Sequence, residues 1–149
     1  ETKEIFRELL IDGEQHFENL DTYSAIPLQT VEYMKTLNIQ AIIHQKISNI
    51  EQFKNNVKEN DYFELFTSDN HLDYAVILNF KNPNARFDLK NHLVNHKIYP
   101  MVLWPNQQTI QDQVVEQNLL FIHMDFRYNQ QDVAYMAKII NDFTSNKNV

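Results

Sequence analysis

The residues best suited to chemistry stand together at His123-Met-Asp-Phe-Arg-Tyr128, an imidazole, a carboxylate, a guanidinium and a phenol within six positions. Arg127 has two readings. A guanidinium fork at a strand–helix junction binds a ligand carboxylate through two parallel hydrogen bonds. The plainer alternative is a local salt bridge to Asp125 or Asp132, of the exposed kind that contributes little. Metal binding would need more than the histidines offer: His92 and His96 stand four apart on an expected helix, and His123 lies two before Asp125. Zinc takes three or four convergent ligands, and spacing supplies no third, so no metal site is assigned and solvated histidines fit better. His123 also reads as a partly buried strand histidine.

Other chemistries are poorly served. Ser24, Ser48 and Ser68 lack the flanking glycines of a nucleophile elbow. The pairs Asp69/Asp73 and Glu14/Glu18 look like solvated charge at turn or helical spacing. The chain has one glycine, Gly13, against a usual share of roughly 7%. Phosphate-cradling loops need glycine for close backbone approach, which excludes Walker-type and dinucleotide-binding loops. Asparagine must then supply many of the left-handed turn positions. With no cysteine there is no disulfide, thiolate nucleophile or cysteine-ligated zinc, which fits a cytoplasmic protein.

The elements that position these residues follow from periodicity. Glu4 to about Leu20 carries Ile5, Phe6, Leu9, Leu10 and Phe17 at helical spacing. Asp21–Pro27 is a turn, and Pro27 suits the first turn of the next helix. From Leu28 to about Glu59 no strong breaker appears, and Ile39, Ile42, Ile43, Ile47, Ile50, Phe53 and Val57 recur at three- and four-residue steps. One very long helix is expected, with Thr36–Asn38 the place where it could break. Tyr62–Thr67 and Tyr74–Phe80 read as strands, Asn82-Pro-Asn84 as a turn, and Arg86–Lys97 as a helix. Ile98–Trp104 reads as a further strand ended by Pro105, followed by a glutamine-rich connection with a helical turn around Ile110–Val115. Leu119–Met124 is the strongest strand. Asn129 can cap a last helix with Val133, Met136, Ala137, Ile140 and Phe143 on its buried face. Asp132 is read as reciprocal acceptor to the cap amide when protonated, and otherwise as a charge favourable to the helix dipole.

This order defines an α+β chain: a small, mainly antiparallel sheet covered by helices and preceded by a long connecting helix. Its 149 residues are read as a single domain, with 1–59 the helical connecting segment and 60–149 the sheet-plus-helix layer. The formal charge of −7, without a basic stripe, argues against nucleic acid. No apolar run reaches the ~18–20 residues of a membrane span, and no signal peptide is seen. The opening Glu1-Thr-Lys-Glu, without an initiator methionine, reads as a piece of a longer protein.

The run Ile98–Pro105, then Leu119–Tyr128, then an amphipathic helix resembles the C-terminal small domain of fold-type-I pyridoxal-phosphate-dependent aminotransferases. The sugar-aminotransferase-like branch of that superfamily is one candidate. The resemblance implies that Leu28–Glu59 is the helix leading in from a large domain. It also implies that Arg127 stands where many members bind the substrate carboxylate. Members acting on sugars often lack such an arginine, so a match at Arg127 would favour amino-acid-like substrates. The Schiff-base lysine, the acidic partner of the pyridine nitrogen and the phosphate-binding turn belong to the large domain. The chain should therefore bind no cofactor and catalyse nothing alone, although pyridoxal phosphate is implied for the parent enzyme. Its expected partners are that large domain and a second copy, because the apolar stripe from Ile39 to Val57 exceeds what one small sheet covers. The alternative is a stand-alone α+β binding or protein-interaction module.

Overall fold

The computed structural model describes residues 2–19, 25–58, 60–66, 75–103 and 105–146. Tyr74, Trp104, Ser24, Ser68 and the Asp69/Asp73 pair lie outside them. The chain divides into two compact units, Glu1–Leu37 and Asn38–Val149.

The first unit holds helices α1 (Thr2–Glu18) and α2 (Leu28–Thr36). Gly13 sits within α1, so the one glycine serves no turn. Pro27 precedes α2 and accepts from the amides of Thr30 and Val31 through its carbonyl. Ile5, Leu9 and Leu10 of α1 and Leu28, Tyr33 and Met34 of α2 are exposed.

The long helix is interrupted where Thr36–Asn38 allowed it. Leu37 turns extended, with φ −69° and ψ 127°, and Asn38 caps a new helix, α3 (Ile39–Asn56), by accepting from the Ala41 amide at 3.0 Å. A side-chain cap is worth about 1 kcal/mol, enough to favour a fresh start over a continuous helix of indifferent propensity. Along α3 burial grows toward the C-terminus: Ile39 is exposed, while Ile50 and Phe53 are buried.

Three antiparallel strands follow in spatial order β1 (Phe63–Phe66), β2 (Ala75–Phe80), β3 (Leu119–His123). Register places Phe63 opposite Phe80, Leu65 opposite Leu78, Leu78 opposite Leu120 and Val76 opposite Ile122. These residues share one face because side chains alternate along a strand. That face forms the core with Ile50 and Phe53 of α3, Leu89 and Leu93 of α4 (Pro83–Asn95), and Val133, Met136 and Ile140 of α6 (Gln130–Asn146). Asn141 of α6 ties down the end of α3, donating to the Asn56 carbonyl and accepting from the Lys58 amide.

Three expectations need correction. Of the expected strand Ile98–Trp104, the described residues 98–103 form none: among them Met101 alone pairs with Phe121, by two bonds of 2.9 Å. The next hydrogen-bonded pair would be Tyr99 with His123, and the chain has turned at Lys97, φ 65°, just before it, so the ladder does not extend toward the helix. Asn82-Pro-Asn84 is the start of α4 itself, with Asn82 capping Asn84 at 2.9 Å and Pro83 in the first turn. The glutamine-rich connection holds a complete helix, α5 (Ile110–Asn118), capped by Thr109 and clamped at its end by Arg86, whose guanidinium donates to the carbonyls of Glu116 and Gln117.

Of the left-handed positions described, Asn106 at φ 66° carries the expected residue type, whereas Lys97 does not. Lys97 ends α4 in a Schellman turn: its amide donates to Val94 and that of Ile98 to Leu93. Glycine is the usual residue there, and a side chain costs about 1 kcal/mol.

Candidate functional site

The corner between β3 and α6 brings the chemically suited residues together. Its backbone is a turn in which the Tyr128 amide donates to the Asp125 carbonyl at 3.2 Å. Asn129 then starts α6, its side chain accepting from Gln131 and Asp132 at 2.7 and 3.1 Å. The Asp132 carboxylate accepts the Asn129 amide at 2.9 Å, closing a capping box. An acceptor needs no proton, so the condition attached to Asp132 in the sequence reading falls away.

Arg127 is paired with Asp125. Its Nε reaches Oδ1 at 2.9 Å and its Nη2 reaches Oδ2 at 2.8 Å, while the Arg127 amide also donates to Oδ1 at 2.8 Å. The guanidinium is 73% exposed and the Asp125 side chain 11%. These bonds from Arg127 hold the Asp125 carboxyl well below the ordinary range, at about 2, against an opposing contribution from burial. The Asp125 pairing occupies the Nε/Nη2 edge of the fork; Nη1 has no partner among the described residues.

A depressed carboxyl pKa stabilises the fold above the unfolded-state value, and that contribution is lost as pH falls from about 4 toward 2. Arg127→Ala should raise the Asp125 pKa toward the ordinary range, read by carboxyl NMR titration, and shift the onset of acid unfolding upward. An unchanged titration would mean that the pair does not persist in solution.

The side chain that holds this corner is one the sequence reading missed. Asn49, on α3 and 0% exposed, donates from Nδ2 to the carbonyls of Asp125 at 2.8 Å and Tyr128 at 3.1 Å. Gln45, one turn earlier, donates to the Asn49 Oδ1 at 2.9 Å and to the Tyr128 carbonyl at 3.3 Å. Gln52, on the following turn, donates to the Gln130 carbonyl at 2.8 Å. An amide stripe Gln45–Asn49–Gln52 at helical spacing thus meets the carbonyls of Asp125, Tyr128 and Gln130 at the corner. The signal available in sequence was a polar residue inside the apolar Ile42–Phe53 stripe.

Beside the corner lies a cleft of about 430 Å³ between the 96–100 loop and the β3–α6 side, lined by Lys97, Tyr99, Tyr128, Asp132 and Tyr135 among others. Arg127 is not part of its wall. His96 and His123 line it too, but the histidines do not make a metal centre. His92 and His96 stack at 4.4 Å, and His96 Nδ1 bonds the His92 carbonyl at 2.8 Å. His92 packs on Phe143 at 5.5 Å, and its Nε2 is buried. It is not the solvated histidine expected: burial first, then the neighbouring His96, pushes its pKa down. No three His, Cys, Asp or Glu side chains converge among the described residues.

The architecture is an α+β layer in which a three-stranded antiparallel sheet carries a substituted strand–helix corner. No protein-family model matches the sequence, and no curated protein matches it. Among solved structures, a protein assigned as sugar aminotransferase Spr1654 of Streptococcus pneumoniae, in its PMP form, shares the fold with a TM-score of 0.57 at 8% identity. The match covers 72% of this chain and 32% of that one. Sugar aminotransferase CalS13 of Micromonospora echinospora gives 0.57 at 12% identity, covering 70% of this chain and 31% of its own. The chain therefore spans about a third of the length of these neighbours, and about 70% of it shares the fold of that third. No helix among the described residues is long and apolar enough to cross a membrane.

The described residues of the corner and the cleft do not fit pyridoxal phosphate. Lys35 and Lys138 are ion-paired on helix surfaces, and Lys97, in the cleft wall, is exposed at the end of a helix. The helix N-terminus nearest the cleft, that of α6, has its first amides closed by Asn129. The acid at the corner, Asp125, is already taken by Arg127.

Proposed function

We propose that this chain is the small domain of a fold-type-I pyridoxal-phosphate-dependent aminotransferase, closing one side of the substrate cleft against a large domain and inactive alone. The observation that supports this reading is the fold shared with two sugar aminotransferases over 72% and 70% of this chain but only about a third of theirs. The poor fit of the corner and cleft residues to the cofactor agrees with a division of labour in which the large domain supplies lysine, acid and phosphate cradle. In this reading the parent enzyme is a cytoplasmic homo-oligomer, and a partner surface covers Ile39, which is 52% exposed at the start of α3.

Arg127 is the substrate-facing residue of the proposal. Asp125 fixes the guanidinium plane and leaves the Nη1 side for a second carboxylate. If the parent acts on a sugar as the neighbours do, the carboxylate at Arg127 is that of the amino donor. In the complete enzyme, Arg127→Lys should raise KM for a carboxylate-bearing amino donor by about tenfold or more, as for loss of a charge-assisted bond, and leave KM for the co-substrate unchanged. Equal donor KM values for the two enzymes would remove Arg127 from the site.

A further inference from the structure

The cleft beside the corner has the size and composition of a small-molecule site. Its volume of about 430 Å³ lies within the range of ligand pockets, and its wall is mainly apolar, with a few polar groups converging on it. Tyr99 of the loop and Tyr128 and Tyr135 of the opposite side present rings, and Met136 adds a soft apolar surface. Charges of opposite sign come to the cleft from different elements. The loop contributes Lys97, which has no ion-pair partner among the described residues, and α6 contributes Asp132. Only one oxygen of Asp132 is engaged, by the Asn129 amide.

Lys97 ends α4 in the left-handed position of its Schellman turn, φ 65°, where glycine is usual, and that position stands at the cleft wall.

From the bipolar lining and its rings, we infer that the cleft binds a free amino acid with an aromatic side chain. The ligand's carboxylate would meet Lys97, its ammonium Asp132, and its ring the tyrosines. The inference does not depend on the aminotransferase reading, because neither Arg127 nor Asp125 belongs to this wall. It does bear on the corner: Tyr128 lines the cleft, and its carbonyl is one of those held by Asn49.

The test is a titration of the full 149-residue chain, followed by two-dimensional amide NMR, with L-phenylalanine, phenethylamine and 3-phenylpropionate. The last two each lack one of the ligand charges. Phenylalanine should give saturable shifts around residues 96–100 and 128–136, with the two analogues at least about tenfold weaker. Lys97→Gly keeps the turn and relieves its strain, so Tm should rise by about 3 °C. The same variant should bind phenylalanine about tenfold less tightly and phenethylamine unchanged. Asp132→Asn retains a capping oxygen and should weaken phenylalanine similarly while leaving 3-phenylpropionate unaffected. Absence of saturable shifts, equal affinity for all three probes, or unchanged phenylalanine binding in Lys97→Gly would each overturn the inference.

Discussion

Asn49→Leu is expected to lower the unfolding free energy by about 3 kcal/mol, although it adds an apolar side chain at a wholly buried position. The amide removed donates to two carbonyls, of Asp125 and Tyr128, and accepts from Gln45. Three hydrogen bonds are lost at about 1 kcal/mol each, and leucine returns little because the shape is that of an amide. Gln45 keeps its own bond to Tyr128, which limits the loss. The change should also be felt at the corner: the amides of Arg127 and Tyr128 should exchange with solvent faster than the global loss explains. Chemical denaturation with unchanged m, together with hydrogen exchange, measures both effects. A loss under about 1 kcal/mol, with protection at Arg127 and Tyr128 retained, would show that the corner stands without Asn49.

Phe53→Ala should cost about 4 kcal/mol, the largest effect expected of a single truncation in this chain. Phe53 lies one turn beyond Asn49 on α3, is 0% exposed and belongs to the core shared with the sheet and α6. Truncation removes most of a large apolar side chain and leaves a cavity that the surrounding helices and sheet close only in part. Phe53→Leu, which keeps most of the volume, should cost less than half as much. The two positions separate by their local signature. Phe53→Ala weakens the whole second unit without selectively exposing the Arg127 and Tyr128 amides, whereas Asn49→Leu does both. If Phe53→Ala costs under about 1.5 kcal/mol, the packing of α3 on the core differs from that described.

The contrast between these residues shows what could be read in sequence. Phe53 was visible because apolar periodicity reports a buried helical face directly, and the same signal located β2, β3 and α6. Asn49 was invisible in that way: an asparagine in an apolar stripe does not announce which distant carbonyls it meets, and its partners lie 76 and 79 positions away. The Arg127–Asp125 pair was legible as one of two readings because both partners lie within two residues. Ile98–Trp104 was misread because an apolar run with strand composition says nothing of edge pairing. Among the described residues there, Met101 alone pairs with β3. The cleft escaped notice because Lys97, Tyr99 and Asp132 come from segments that the fold alone brings to one place.

The central claim is that this chain is one domain of a larger enzyme and carries no cofactor of its own. The direct measurement is the mass and absorption spectrum of the native polypeptide that contains this sequence, isolated through an antibody to the chain. The account predicts a polypeptide of a little over twice 17.8 kDa, since 72% of the chain covers 32% of a structural neighbour. It also predicts an aldimine band near ~420 nm that survives desalting, absent from the 149-residue chain treated with the same cofactor. A native polypeptide of 17.8 kDa with no such band would contradict it and favour a stand-alone module. A wash-resistant band on the 149-residue chain itself would contradict the division of labour between domains.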